Sequence, residues 1–170
     1  SGKADHIIDT DQTFYIRLRF SSDDDNYNSL APIWIKCTNL NMDYAGFIKE
    51  AETTMVDEDS EMNDEKSPLL YKISLASNPQ GEALAGFEVS DNTELKISPK
   101  QMTFNSENWN VPQILTVNGK IDDIVDGDIV SQILLKVDGK DKDYTAEEAV
   151  DITTVDINRG GINLSAVGGS

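Results

Sequence analysis

Apolar and polar positions alternate along four stretches of the chain. "QTFYIRLRF" puts Phe14, Ile16, Leu18 and Phe20 on one face and Tyr15, Arg17 and Arg19 on the other. "PIWIKCT" aligns Ile33, Ile35 and Cys37, with Trp34 turned away. "PLLYKISL" aligns Leu69, Tyr71, Ile73 and Leu75, and "DIVSQILLKV" aligns Ile129, Ser131, Ile133, Leu135 and Val137. A period of two over such lengths is the mark of half-buried β-strands. Gly, Pro, Asn and Asp clusters separate the stretches as turns. One helix-like segment is expected, short and acidic, from Glu52 to Glu65 ahead of Pro68. Many short strands with turn punctuation predict an all-β protein, an antiparallel sandwich.

The strands repeat. "DHIIDTDQTFYIRLRF" lies over "DDIVDGDIVSQILLKV" without a gap, at an offset of 117 residues. Identical pairs include Asp5/Asp122, Ile7/Ile124, Asp9/Asp126, Asp11/Asp128, Ile16/Ile133, Leu18/Leu135, Asp24/Asp141, Tyr27/Tyr144, Ile35/Ile152 and Asn41/Asn158. Chance alone would leave only two or three identities over such a span, on the order of one in twenty, so the repeat is real. "AGFI" at Ala45 is echoed by "GGIN" at Gly160. The organisation expected is the last two strands of one repeat in 1–43, a complete repeat in 44–158, and a linker or first strand of another in 159–170.

Charge narrows the range of partners. Of 170 residues, 31 are acidic and 14 basic, for a net charge of −17. Such a surface disfavours nucleic acid and anionic membranes, which call for a basic face. Apolar runs are too short for a bilayer span. The single Cys37 excludes an intrachain disulfide.

The acid is concentrated. "IDDIVDGD" carries Asp122, Asp123, Asp126 and Asp128, with Gly127 permitting a sharp turn and Ile121, Ile124 and Val125 expected to anchor the loop to the core. Clustered carboxylates bind a cation, take up protons or stay solvated. A hard ion such as Ca2+ wants six to eight oxygen ligands. The spacing is not that of an EF-hand loop. Asp and Gly here also suit metal-free Asx turns. "DEDSEMNDE" and "SSDDDNYN" read as solvated connections, the latter a hairpin or crossover loop.

"MTFNSENWNVPQILTVNGKIDDIVDGD" resembles the "NW..PQ" and "DD...DGD" block of the Calx-beta-like superfamily, found as tandem repeats in large bacterial surface and secreted, adhesin-type proteins. "VDITTVDIN" resembles that family's last strand, "MVDED" its apolar-x-Glu start, and "NLNMDYAGF" its junction between repeats. The resemblance implies an immunoglobulin- or fibronectin-like antiparallel β-sandwich of about seven strands, with calcium at one tip in some members. Carried over by position, it implies metal ligands at Glu58, Asp91, Asp122, Asp123, Asp126, Asp128 and Asp156 in the full repeat. In the first copy it implies Asp5, Asp9 and Asp11 with Asn39, Asn41 and Asp43. The chain departs from the pattern at His6, which replaces the second Asp of a pair, and at Asn158 and Arg159, which stand where calcium-binding members carry acids.

Catalysis finds little support. The lone His6 supplies no base for Cys37, which aligns with an apparent core face, and no nucleophile elbow, phosphate loop or zinc spacing is present. Paired carboxylates can act on a glycosidic bond, but a cluster repeated at successive tips suits a structural role. Trp109 is expected to pack in the core or at an edge, and Trp34 to face outward or toward a neighbouring module. The expected function is a non-enzymatic extracellular spacer or adhesive segment of a cell-surface or secreted protein, rigidified by Ca2+ at its tips. Its partners would be neighbouring repeats, with neither nucleic acid nor membrane insertion. The alternatives are a glycan- or protein-binding module and a calcium-sensing regulatory domain of a membrane transporter. Residues 1–43, short of most of a sandwich, are expected to pack on the full repeat or to enter a domain-swapped dimer.

Overall fold

The computed structural model describes residues 5–61, 66–140 and 144–161. It is all-β apart from one short helix among these residues. Strands β1 (Gln12–Leu18) and β2 (Ile33–Asn39) form a two-stranded antiparallel sheet of their own. Their connection holds α1 (Asp25–Asn28), capped by Asp24, whose side chain accepts the Asn26 N–H at 2.9 Å.

Nine strands follow: β3 (Phe47–Glu50), β4 (Met55–Asp57), β5 (Leu69–Leu75), β6 (Ala83–Val89), β7 (Leu95–Ser98), β8 (Gln101–Phe104), β9 (Gln113–Gly119), β10 (Ile129–Gly139) and β11 (Thr145–Val155). They make a five-stranded sheet ordered β4-β11-β10-β6-β8 and a four-stranded sheet ordered β3-β5-β9-β7. All pairings are antiparallel except β4 with β11. The two sheets share one core.

The alternation explains that core. Leu69, Tyr71, Ile73 and Leu75 of β5 are buried, as are Ser131, Ile133, Leu135 and Val137 of β10. They meet Leu115 and Val117 of β9 and Phe87 of β6, whose ring lies 6.5 Å from that of Phe47. Each such side chain contributes roughly 1.5–3 kcal/mol by leaving water. Tyr144 closes the end of the core and donates its hydroxyl to the Ser77 carbonyl at 2.8 Å.

Several expectations are corrected. Among the described residues the full repeat has nine strands, where the resemblance implied about seven; four of them, β3, β4, β7 and β8, are only three or four residues long, too brief to show alternation in the sequence. The expected helix from Glu52 to Glu65 is instead β4 followed by a turn: the 55–57 backbone pairs with 153–155 of β11, and tertiary pairing outweighs local helix preference. Residues 62–65 lie outside the described ones. Cys37 is only half-buried, because the face it shares with Ile33 and Ile35 has no sheet over it.

The module has two poles. At one, the loop 5–8 and Tyr44 meet the β5–β6 turn: Asn78 N–H donates to His6 O at 2.7 Å, and Ser77 Oγ to Tyr44 O at 2.7 Å. There Trp109, half-buried against the core as expected, packs against His6, with ring centroids 5.4 Å apart and planes tilted by 41°. At the other pole lie the ends of β4, β9 and β11 and the acidic loop 120–128. Glu58 N–H donates to Val155 O at 3.2 Å, and Gly119 N–H to Ser60 Oγ at 2.9 Å. Gly119 is obligatory here, since a Cβ on it would stand 2.4 Å from Asp57 O and 2.6 Å from Glu58 Cα.

Candidate metal centre

Local turn chemistry builds the loop between β9 and β10. Asp122 Oδ1 accepts the Ile124 N–H at 2.7 Å, an Asx turn. Gly127, at φ +83°, occupies the left-handed region and donates to Asp156 Oδ2 at 2.9 Å. Asp128 Oδ1 accepts the Asp156 N–H at 3.2 Å, and Asp156 Oδ1 accepts the Asn158 N–H at 2.6 Å. The loop is thus tied to the end of β11 by polar bonds. Ile121, Ile124 and Val125, expected to anchor it to the core, are 45%, 59% and 58% exposed. None of the three belongs to the core cluster of the two sheets.

Asn158 is the clip. The two N–H groups of its side-chain amide serve three acceptors, one of them shared: Glu58 Oε1 at 2.8 Å, Asp122 O at 2.8 Å and Ile124 O at 2.9 Å. The first copy repeats the Asx turn but ties its asparagine to other partners. Asn41 donates its amide to Asp9 O at 2.8 Å and its backbone N–H to Asp11 Oδ1 at 2.9 Å, while Asp5 Oδ1 accepts the Ile7 N–H at 3.2 Å. The Asn158 amide NH2 brings partial positive charge to the Glu58 carboxyl and to two loop carbonyls.

Carboxylates converge around this clip. Oxygens of Glu94, Asp122 and Asp126 all lie within 4.8 Å of one another. Oxygens so placed are close enough to share one cation. Glu58, only 5% exposed, has its carboxyl held above the ordinary glutamate range by burial, then by the charges of Asp156, Asp122, Asp126 and Glu94. Burial likewise raises Glu94, with Asp126, Asp91 and Asp122 adding to it. The donor set is hard oxygen throughout, and its self-repulsion is what a cation would relieve.

Of the ligands expected in the full repeat, Glu58, Asp122, Asp126 and Asp156 come together. Asp128 serves as a loop tether instead. Asp123 is exposed, and among the described residues no hydrogen bond or ion pair ties it to the cluster. Asp91 stands at the margin: its Oδ1 accepts the Thr93 hydroxyl and N–H, which hold its carboxyl below the ordinary range, helped by the Lys120 charge. Sequence reading missed Glu94. It precedes β7, and Lys120 N–H fixes its carbonyl at 2.9 Å. Nothing in its local sequence marks it, because only the β7–β9 pairing brings it to the loop. In the first copy Asp9, Asp11, Asn41 and Asp43 gather through hydrogen bonds, with His6 Nδ1 4.0 Å from Asp43 Oδ1. Among the described residues that copy has no triad of converging carboxylates.

No family model and no curated protein matches the chain. Among solved structures it is similar to the E. coli chaperone DraB, at 12% identity and a TM-score of 0.42, over 64% of this chain and 54% of that one. The chain spans about half the length of that chaperone, and so distant a likeness carries no argument.

Proposed function

We propose that the chain is a non-enzymatic spacer module of the immunoglobulin- or fibronectin-like sandwich type, carried in a cell-surface or secreted protein and stiffened by Ca2+ at one pole. One observation carries this reading: Glu94, Asp122 and Asp126 converge beside the covered Glu58 carboxyl, close to where the chain leaves the module. Glu94, Asp122 and Asp126 would hold the ion, with Asp156 and Glu58 beside it. The ion would supply charge neutralisation and fix the exit of β11, which Asn158 already ties to the loop. Entry of the chain at one pole and exit at the other suits modules joined end to end.

Thermal melting and calorimetric titration with Ca2+ test the proposal. The expected result is saturable binding and a higher melting point in millimolar Ca2+ than in EDTA, both lost in a Glu94→Gln, Asp122→Asn, Asp126→Asn variant. An unchanged melting point and no heat of binding would sink it.

A second reading, a glycan- or protein-binding module, is favoured by Trp34. It is 59% exposed on β2, with the Arg17 guanidinium 5.3 Å from its ring centroid. A flat ring steadied by a cation presents a stacking surface for a sugar.

A further inference from the structure

The first hairpin and the last share one sequence pattern but sit in opposite surroundings. Ile133, Leu135 and Ile152 of β10 and β11 are at most 1% exposed. Their counterparts 117 residues earlier, Ile16, Leu18 and Ile35, are 44%, 43% and 43% exposed. The edges differ too. β10 pairs with β6 and β11 with β4, whereas β1 and β2 pair only with each other among the described residues. An apolar two-stranded ribbon with both edges open is marginal in water and prone to association.

The size of the face limits what can cover it. Two strands of seven residues, rising about 3.3 Å per residue and about 4.8 Å apart, offer a footprint on the order of 250 Å². That is well below the roughly 800 Å² per partner of a stable interface, so the face alone cannot hold a second hairpin, and a cover must also pair with a strand edge or be joined along the chain. Exchange with the last hairpin of a second copy is also unfavourable, because it replaces two strands of 11 residues by two of seven.

We propose that the β1–β2 face and the free edge of β1 form a docking surface for a strand set built like β3 to β9, supplied by another copy of the repeat, so that the hairpin completes a second two-sheet module head to tail with the first. The partner's identity rests on the tandem-module reading but not on calcium. Its chemistry follows from the buried copy. Ile133 stands opposite Val89 and Leu135 opposite Phe87, so Ile16 and Leu18 meet a Val and a Phe of a β6-like strand. A facing sheet with the Ile73, Leu115 and Val117 pattern covers the apolar side. The hairpins differ in register by two residues: Ile16 pairs with Ile35, while Ile133 pairs with Val150 rather than Ile152. A shift of two keeps every side chain on its face.

The experiment joins a second copy of residues 44–121 ahead of Asp5, where the repeat runs on in frame, and follows amide exchange of β1 and β2 in EDTA. Exchange should slow at least about tenfold relative to the 170-residue chain, and Ile16→Lys with Ile35→Lys should abolish the gain. Equal exchange in the extended and parent chains overturns the proposal. A second measurement uses the parent chain, where Ile16→Thr with Ile35→Thr should lower binding of a hydrophobic dye at least about twofold and leave the melting point unchanged. A melting point several degrees lower would mean that the face already packs on its own module, and dimers abolished by Ile16→Lys would mean that a second hairpin covers it; either result overturns the proposal. Because exchange is read in EDTA, absence of calcium binding leaves this proposal standing, and calcium binding without protection removes this one alone.

Discussion

Asn158 Nδ2 stands 2.8 Å from Glu58 Oε1, joining residues a hundred positions apart and fastening the exit of β11 to the end of β4. The same amide spans the Asp122 and Ile124 carbonyls. It does by hydrogen bonding part of what a bound cation does by charge.

Asn158→Ala should therefore loosen the pole. Leaving a covered carboxylate and two carbonyls without their donor costs about 1–3 kcal/mol. Chemical denaturation should show a lower midpoint with an unchanged slope. Asn158→Asp should be worse in EDTA, since it adds a sixth carboxylate where the amide was. It should gain more from Ca2+ than the parent does, and an equal gain would detach Asn158 from the metal site.

Glu94 is the proposed ligand to test singly. A site with a dissociation constant of about 10 μM gains about 2.7 kcal/mol at 1 mM Ca2+. For a domain of this size that raises the melting point by roughly 5–10 °C. Glu94→Gln should remove most of that rise while leaving the EDTA melt equal or slightly higher, because one repulsive charge is gone.

Stability should depend on pH in a definite direction. Glu58 and Glu94 bind protons more tightly folded than unfolded, so their favourable contribution is full below the ordinary glutamate value and is lost as pH rises through their raised values. In EDTA, acidification from neutrality toward about pH 5 should raise the melting point. Further acidification reverses the trend through Asp91 and Glu148. Burial pushes the Glu148 carboxyl up, but hydrogen bonds from Lys49 and the Phe47 N–H, with the Lys49 charge, outweigh it and leave it low. Saturating Ca2+ should flatten the acid gain, and Glu58→Gln should reduce it; a gain unchanged in that variant would place its origin in general charge repulsion.

Gly119→Ala tests the support under the site. Its Cβ would meet the Asp57 and Glu58 backbone, which cannot give as a flexible side chain can. Overpacking of this kind costs about 1–3 kcal/mol. Because the clash lies beneath Glu58, the variant should lose calcium affinity along with stability, whereas a core truncation such as Phe87→Ala should cost about 3–5 kcal/mol and leave affinity in the folded fraction unchanged.

Much of the fold was legible where alternation ran long. β5 and β10 bury the faces read from sequence, and the Asp5/Asp122 pair predicts a repeated turn that the bonds to the Ile7 and Ile124 N–H groups reproduce. Legibility failed where partners lie far along the chain. β4, read as helix, exists through its pairing with β11. The apolar residues of loop 120–128 were read as anchors, but hydrophobicity alone does not say whether a surface lies within reach.

The sequence by itself determined the four strands β1, β2, β5 and β10, the apolar side of each, the repeat and the acidic character of its loops, because these follow from side-chain period and local turn chemistry. Only the tertiary structure decided which carboxylates meet. Glu94 joins Asp122 and Asp126 because β7 pairs with β9, and Glu58 joins them because β4 pairs with β11. Strand order is a contest among long-range pairings, and no local stretch of sequence records its outcome.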